Sequence, residues 1–337
     1  MNKPFNLILF CLLVISIFST CETEVNISAD WKDITVIHGF INEGFGCVVR
    51  IRKTFNGDQN AFEMSKIADS SNYREPVEVY MQEIFKEFTT EYPMVRYDYP
   101  KDSGLFPQSN NYWWFGEPYI DSRKQYQIIV YFPNRDKYVS AKTHIIPKAS
   151  IMRPSRTTKY LYFTEDYPFT LVFQSKDFGE FYQFKIRFNY VDYYNDLTRK
   201  DNFIEWDLEP IIISPAPLPD ELKEIYKKKL SYEAIYGFLA SHISEDSSIL
   251  YRELSGIDIR LFIGTHEYNL YYNEGKGLEF GNERKKFTNV VNGTGIFTSI
   301  AVTELKGLVP DQSSLDSLAY GQITGKLGFK NTLYPYD

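Results

Sequence analysis

Between Tyr182 and Tyr190 every second residue is large and apolar: Tyr182, Phe184, Ile186, Phe188 and Tyr190 alternate with Gln183, Lys185, Arg187 and Asn189. Successive side chains of a strand point to opposite faces, so this spacing gives a long strand one apolar and one polar face. A helix would need its apolar residues three or four apart. The same period of two returns in Ile257, Ile259, Leu261 and Ile263, and in Val77, Val79 and Met81. Each of these segments has to bury one face against another layer, which predicts sheets packed as a sandwich.

Shorter runs extend the pattern. Val36 to Phe55 reads as two strands around a turn at Asn42-Glu43-Gly44, and Tyr112 to Phe115, Tyr126 to Phe132 and Lys137 to Ile146 read as further strands. Asp102-Ser103-Gly104, Gly116-Glu117-Pro118 and Pro133-Asn134 supply turns between them. Leu171-Val172-Phe173 is expected to pair with the 182–190 strand across a turn at Asp177 to Gly179, a hairpin like that of fibronectin-like modules. Ile204 to Leu208 and Ile211 to Ser214 continue the β pattern until Pro215-Ala-Pro-Leu-Pro219 interrupts it. Leu222 to Lys229 reads as a short helix. Ser231 to Ile243 reads as a better one, with Ser231 as cap and Tyr232, Ile235, Tyr236, Leu239 and Ile243 on one stripe. Gly237 weakens that helix by about 1 kcal/mol. The tail, Thr288 to Val302, holds a Gly-rich turn and a final strand. Pro147 to Thr158, polar, basic and proline-containing, is the candidate boundary. The expected fold is therefore mainly β, with two β-sandwich domains of immunoglobulin or fibronectin type: an N-terminal one at 33–147 and a C-terminal β-rich one at 159–337, the latter with a short helical insertion near 231–243.

The 27 tyrosines and 26 phenylalanines agree with half-buried pleated surfaces. The net charge is −7, and the longest basic cluster, Lys227-Lys228-Lys229, reads as a solvated face, so the composition argues against a nucleic-acid partner.

The first twenty residues read as an export signal. Lys3 gives it a positive start, Leu7 to Phe18 is apolar apart from Ser16, and Ser19-Thr20 leads into Cys21. A spanning helix needs about 20 apolar residues, and this run is shorter. Phe18-Ser-Thr-Cys21 is a loose lipobox, which predicts cleavage before Cys21, acylation of its thiol with palmitate-type chains, and a tether over 21–32. Cys11 leaves with the signal, so Cys47 has no partner for a disulfide and reads as a small buried apolar residue.

Asp33-Ile-Thr-Val-Ile-His-Gly-Phe-Ile-Asn42, then Val49-Arg-Ile-Arg-Lys-Thr-Phe55 and Asp69-Ser-Ser71, resemble the opening of a family of uncharacterised Bacteroidota lipoproteins, a domain of unknown function. Ser140-Ala-Lys-Thr143 and Phe287-Thr-Asn-Val-Val-Asn-Gly-Thr-Gly-Ile-Phe-Thr-Ser299 fit the same pattern. His38 stands where a tyrosine is common in that family, and Glu43-Gly-Phe-Gly46 replaces a polar loop. The resemblance implies a lipoprotein on the outer membrane, facing the periplasm or the cell surface. It also implies bacteria that pair such proteins with TonB-dependent outer-membrane transporters. It supplies no catalytic residues.

Motifs for chemistry are sparse. His38, His144, His242 and His266 do not fall at metal-ligand spacing, and His266-Glu267 lacks the second histidine of a zinc helix. Asn56-Gly-Asp-Gln-Asn60 is too short for a calcium loop. Gly-x-Ser-x-Gly, Walker and dinucleotide patterns are absent from the sequence, so neither a metal nor a cofactor is expected. Tyr112-Trp113-Trp114-Phe115 is the candidate ligand platform, since flat aromatic faces stack on sugar rings. Neighbours on a strand face opposite ways, so one of Trp113 and Trp114 should be core. The expected function is non-enzymatic: a lipid-anchored binding or accessory subunit for envelope uptake, with a glycan as possible ligand. The alternatives are a surface adhesin or matrix protein, and a glycan hydrolase working through two distant carboxylates.

Overall fold

The alternating segments form strands, and two of them lie side by side at the middle of one sheet. The computed structural model describes residues 33–54, 66–99, 111–116, 119–196, 198–213, 224–276 and 287–333. The first half carries β1 (Thr35–Asn42), β2 (Gly46–Lys53), a four-residue helix α1 (Ala68–Ser71), β3 (Glu78–Phe85) and β4 (Phe88–Pro93). It continues with β5 (Val95–Asp98), β6 (Tyr112–Gly116), β7 (Gln125–Phe132) and β8 (Lys137–His144). The second half begins with β9 (Ile151–Arg153), β10 (Phe169–Gln174), β11 (Phe181–Tyr194), β12 (Arg199–Asp207), β13 (Ile211–Ile212) and β14 (Ile225–Leu230). Helix α2 (Tyr232–His242), β15 (Ile249–Gly264), helix α3 (His266–Lys276), β16 (Val290–Val291), β17 (Gly293–Leu308), helix α4 (Gln312–Tyr320) and β18 (Phe329–Leu333) complete it. Among the described residues no helix is long and apolar enough to cross a membrane.

One large sheet, in the order β12-β11-β15-β17-β1-β2-β6-β5, runs through both halves. A five-stranded sheet, β16-β8-β7-β3-β4, packs on its first half, and a three-stranded sheet, β14-β10-β9, packs on its second with α2 and α4. Strand β17 shows that both cores lie on the same side. Phe297 enters the first core, and Ala301 and Leu305 enter the second; residues an even number apart on a strand share a face. The fold is thus mainly β, built as two sandwich halves on a shared sheet, with the helix expected at 231–243 in the second half. The described residues from Ile34 onward form one compact unit. The expected boundary at 147–158 lies between two cores, but that stretch is itself structured. Ala149 and Ile151 are buried in the second core, and β9 pairs with β10. A cut there also leaves Val290 and Phe297 in the first core.

Three local expectations are corrected. Strand β10 does not form a hairpin with β11; it lies in the opposite sheet, so the chain arches between layers at 175–180. The apolar side chains of the two strands meet across the sandwich, with Phe173 stacked on Tyr182 at 4.7 Å. Residues 225–230 form a strand rather than a helix, because Tyr226 and Leu230 alternate with exposed Ile225, Lys227 and Lys229, and Tyr226 stacks on Phe173. After Val302 the strand continues to Leu308, and α4 and β18 follow it. The turns at 102–104, 117–118 and 56–60, and the Pro215–Pro219 break, lie outside the described residues.

Two crossings between layers are fixed by the same device. Tyr182, second residue of β11, is buried, and its hydroxyl accepts a hydrogen bond from the Lys176 N–H at 2.8 Å. Tyr126, second residue of β7, accepts one from the Asp121 N–H at 2.9 Å and donates to Glu83 at 3.1 Å. Such tyrosine corners mark the arches of immunoglobulin-type sandwiches. Burial pushes both phenols up, Tyr182 to about 12.

Two glycines test this packing in opposite directions. A Cβ on Gly179 would run into the Tyr182 hydroxyl and Ile263, so Gly179→Ala should destabilise by about 1–3 kcal/mol. At Gly237, inside α2, an added Cβ meets open space, so Gly237→Ala should stabilise by about 0.5–1 kcal/mol. Urea unfolding of the two variants checks both signs; a shift in the same direction for both would contradict this account.

Candidate functional site

The side of the large sheet turned away from the cores is partly exposed on the first half: outward Val48 is buried, Arg50 and Trp113 are half-buried, and Tyr97 is exposed. Strand pairing puts its outward residues in rows. Phe40 lies across from Val48, Val48 from Phe115 and Phe115 from Val95. In the next row His38 lies across from Arg50, and Trp113 from Tyr97. Arg50 joins the two pairs, with its guanidinium 5.3 Å from the Trp113 ring centre. No Asp or Glu stands at the outward positions of β1, β2, β5 and β6. Tyr97 and Tyr99 remain 52% and 57% exposed, and both contact the Phe115 ring, at 5.5 and 5.8 Å.

Trp113 and Trp114 separate as the strand period requires. Trp114 is buried in the first core beside Val49, and Trp113 is half-buried on the open face. Asn111, itself buried, organises the arginines next to it. Its side-chain oxygen accepts hydrogen bonds from Arg50 and, at 3.5 Å, from Arg52, and its side-chain NH₂ donates to the Tyr99 carbonyl at 3.0 Å. Arg50 forms no ion pair among the described residues, and its Nε lies buried without a hydrogen-bond partner. On the far side Tyr271 of α3 meets His38 at 3.3 Å. Burial first, and then the Arg52 charge, hold the His38 imidazole below its ordinary value. The sequence signal for this face was Val49-Arg-Ile-Arg52: once β2 is a strand with Val49 and Ile51 inside, both arginines must face out together.

Phe40 also lines a cleft of about 830 Å³ where β1 stops and β17 runs on. Phe45 and Tyr119, 78% and 87% exposed, stand at its rim, with Phe262, Val302 and Lys148 inside it. Asn42 shapes the adjoining turn by accepting hydrogen bonds from the Gly44 and Phe45 N–H groups at 2.8 and 2.7 Å. The cleft holds Glu304. Burial opposes its charged form, but hydrogen bonds from Arg260 at 2.8 Å and contact with Lys306 at 3.2 Å hold its carboxyl below the usual range. That is the reverse of what a general acid in glycoside hydrolysis requires.

Cys21 lies outside the described residues. Cys47 is fully buried, which pushes its thiol pKa up. Among the described residues no three His, Cys, Asp or Glu side chains are grouped so as to hold a metal ion.

No known protein family matches the sequence, and no curated protein does. Among solved structures, the C-terminal globular domain of an oligosaccharyltransferase from Pyrococcus abyssi is similar over 83% of this chain, at 9% identity and a TM-score of 0.21. This chain spans 50% of that one's length. A likeness this slight carries nothing about the fold or the activity.

The lowered pKa of His38 has a consequence for stability. The unfolded chain takes up the proton near pH 6.5, and the folded chain only at lower pH. Between the two values the unfolded state binds more protons, so stability falls as the pH drops through this window. A His38→Gln variant should lose less stability than the wild type between about pH 7.5 and about pH 5. Equal losses in urea midpoints would rule out His38 as a contributor.

Proposed function

We propose that the chain is a non-enzymatic glycan-binding lipoprotein of the bacterial outer membrane, an accessory subunit for uptake that works beside a TonB-dependent transporter. The observation that carries the binding part is the row His38–Arg50–Trp113–Tyr97: aromatic rings and hydrogen-bond donors share one partly exposed face. Flat apolar ring faces with polar groups at their edges suit sugar rings, which have C–H faces and hydroxyl edges. The cleft extends this surface through Phe40, giving a polymer a longer track than one ring would.

Trp113 and Trp114 make a paired test. Trp113→Ala should weaken retention on a panel of immobilised polysaccharides about tenfold, equivalent to about 1.4 kcal/mol, with little change in stability. Trp114→Ala empties a core site and should cost about 3–5 kcal/mol of folding free energy. Unchanged retention by the Trp113 variant would sink the platform.

The anchor is tested separately. Cys21→Ala should release the protein from the membrane into the soluble fraction, because stable attachment rests on acyl chains at about 0.8 kcal/mol per buried CH₂. Continued sedimentation with membranes would refute lipidation at that residue.

A further inference from the structure

We infer that the open face takes a carboxylate-bearing sugar, a uronic acid unit within a polymer, with Arg50 as the ligand of the carboxylate. The inference rests on the glycan-binding reading above and specifies its chemistry. Its first support is charge. The chain as a whole carries −7, yet the outward positions of β1, β2, β5 and β6 hold Arg50, Arg52 and His38 and no acidic residue. Elsewhere on the same sheet Lys185 meets Glu205 and Asp207 at 3.6 and 3.1 Å, and Arg260 meets Glu304 at 2.8 Å, while Arg187, like Arg50, lies over an aromatic ring.

The second support is the state of Arg50. A guanidinium carries five N–H donors in a fixed planar fork that matches a carboxylate with two parallel hydrogen bonds. One arm of the Arg50 fork is bonded to buried Asn111, which fixes its direction. The group is therefore oriented, and its other arm, Nη1, which makes no hydrogen bond among the described residues, still has donors to give. It sits between Trp113, whose indole offers a stacking surface, and His38, whose lowered pKa leaves a neutral imidazole near neutral pH. A uronate ring laid on this row would place apolar C–H groups against Trp113 and Tyr97, and its carboxylate against Arg50. A neutral sugar would leave the fork unused.

The test compares polymers that differ only in charge. Wild-type protein is titrated calorimetrically with polygalacturonate, with fully methyl-esterified polygalacturonate, with alginate and with neutral glucan. Binding of at least one uronate polymer, and at least about tenfold weaker binding of the ester, is expected; a tenfold change corresponds to about 1.4 kcal/mol. Arg50→Gln should abolish the difference between acid and ester, and Arg50→Lys should restore only part of it, because an ammonium lacks the fork. Lys227→Gln, on the exposed side of β14, controls for general attraction of a polyanion. Equal binding of acid and ester, or binding of neutral glucan alone, overturns the carboxylate inference and leaves the platform standing. Equal losses in the Arg50→Gln and Lys227→Gln variants also overturn it. Failure of every polymer to bind takes down the platform reading as well. If Arg50→Gln does not fold, the acid and ester comparison on wild type still decides.

Discussion

The two halves are held together by β17, whose 16 residues serve both cores, and its pairing with β1 depends on a glycine. From Gly293 to Ser299 it runs parallel to Thr35–Ile41, and from Ile300 onward it pairs with β15. Gly295 has φ +106, and a Cβ there would strike the carbonyl of Ile37. Only glycine satisfies both the backbone angle and the close approach. Before β15 takes over, the side chain of Asn289 exchanges two hydrogen bonds with the Phe297 backbone, at 3.0 and 2.7 Å, in the manner of a strand neighbour. Since β1 ends at Asn42 while β17 continues, the sheet has a step there. The cleft is that step, so the constraint that joins the halves also creates a concavity of about 830 Å³ beside the aromatic face.

Buried polar groups then fix the second half and cover part of its outer surface. Arg252 and Asp192 pair at 2.9 Å with both side chains almost fully buried. Arg252 also donates to the carbonyls of Leu327 and Ser244, and Asp192 accepts from Asn202 at 2.7 Å, so neither charge is left short of partners. A satisfied pair of this kind specifies one arrangement of β11, β12 and β15, since removing either partner strands the other charge at a cost of about 3–5 kcal/mol. Helix α3 is pinned similarly: buried Glu180 accepts from Asn269 and contacts His266, each at 2.6 Å. This places Tyr268 and Tyr272 over Phe181, with Tyr268 also against Phe262, covering aromatic residues on the side opposite the core. The outward rings of the first half receive no such cover from α3 beyond the contact of Tyr271 with His38.

Strand character was legible because it is a local, periodic signal. All five apolar residues from Tyr182 to Tyr190 are buried, as are Ile257, Ile259, Leu261 and Ile263. Ser231 caps α2 through the Ala234 N–H, as its position before the apolar stripe implied. What failed was long-range or two-valued. The arch between β10 and β11 looks like a hairpin in one dimension, because a turn of this length serves either; the choice is made by which strands border β11, namely β12 and β15. Lys227-Lys228-Lys229 obscured β14, whose inward residues are few. Helix α4 begins at Asp311, which accepts from the Ser313 and Ser314 N–H groups; that cap preceding Leu315 and Leu318 was a readable signal. The site was half legible: alternation alone separates Trp113 from Trp114. The companionship of Trp113 with Arg50 requires the β2–β6 register, which no local pattern encodes.

The contrast between the two ends of the large sheet's outer face bears most on function. On the second half, Lys185, Arg260 and Lys306 find carboxylates, Asn189 bonds Asp258 at 3.1 Å, and Arg187 lies over the Phe203 ring at 3.6 Å. Exposed pairs of this kind contribute little stability each, but they leave a solvated surface with its charges balanced. On the first half, aromatic rings replace the acids, and Arg50 keeps donors that folding does not use. Apolar rings gathered on one exposed face gain nothing for the fold that burial would not give more fully. A fold with 44 acidic side chains does not lack carboxylates to set beside Arg50. The outward positions of β1, β2, β5 and β6 carry none, and the one carboxylate bonded to Asn111, that of Asp98, accepts from its backbone N–H at 2.8 Å; a guanidinium already oriented by Asn111 is what a surface built to receive a carboxylate from outside would present.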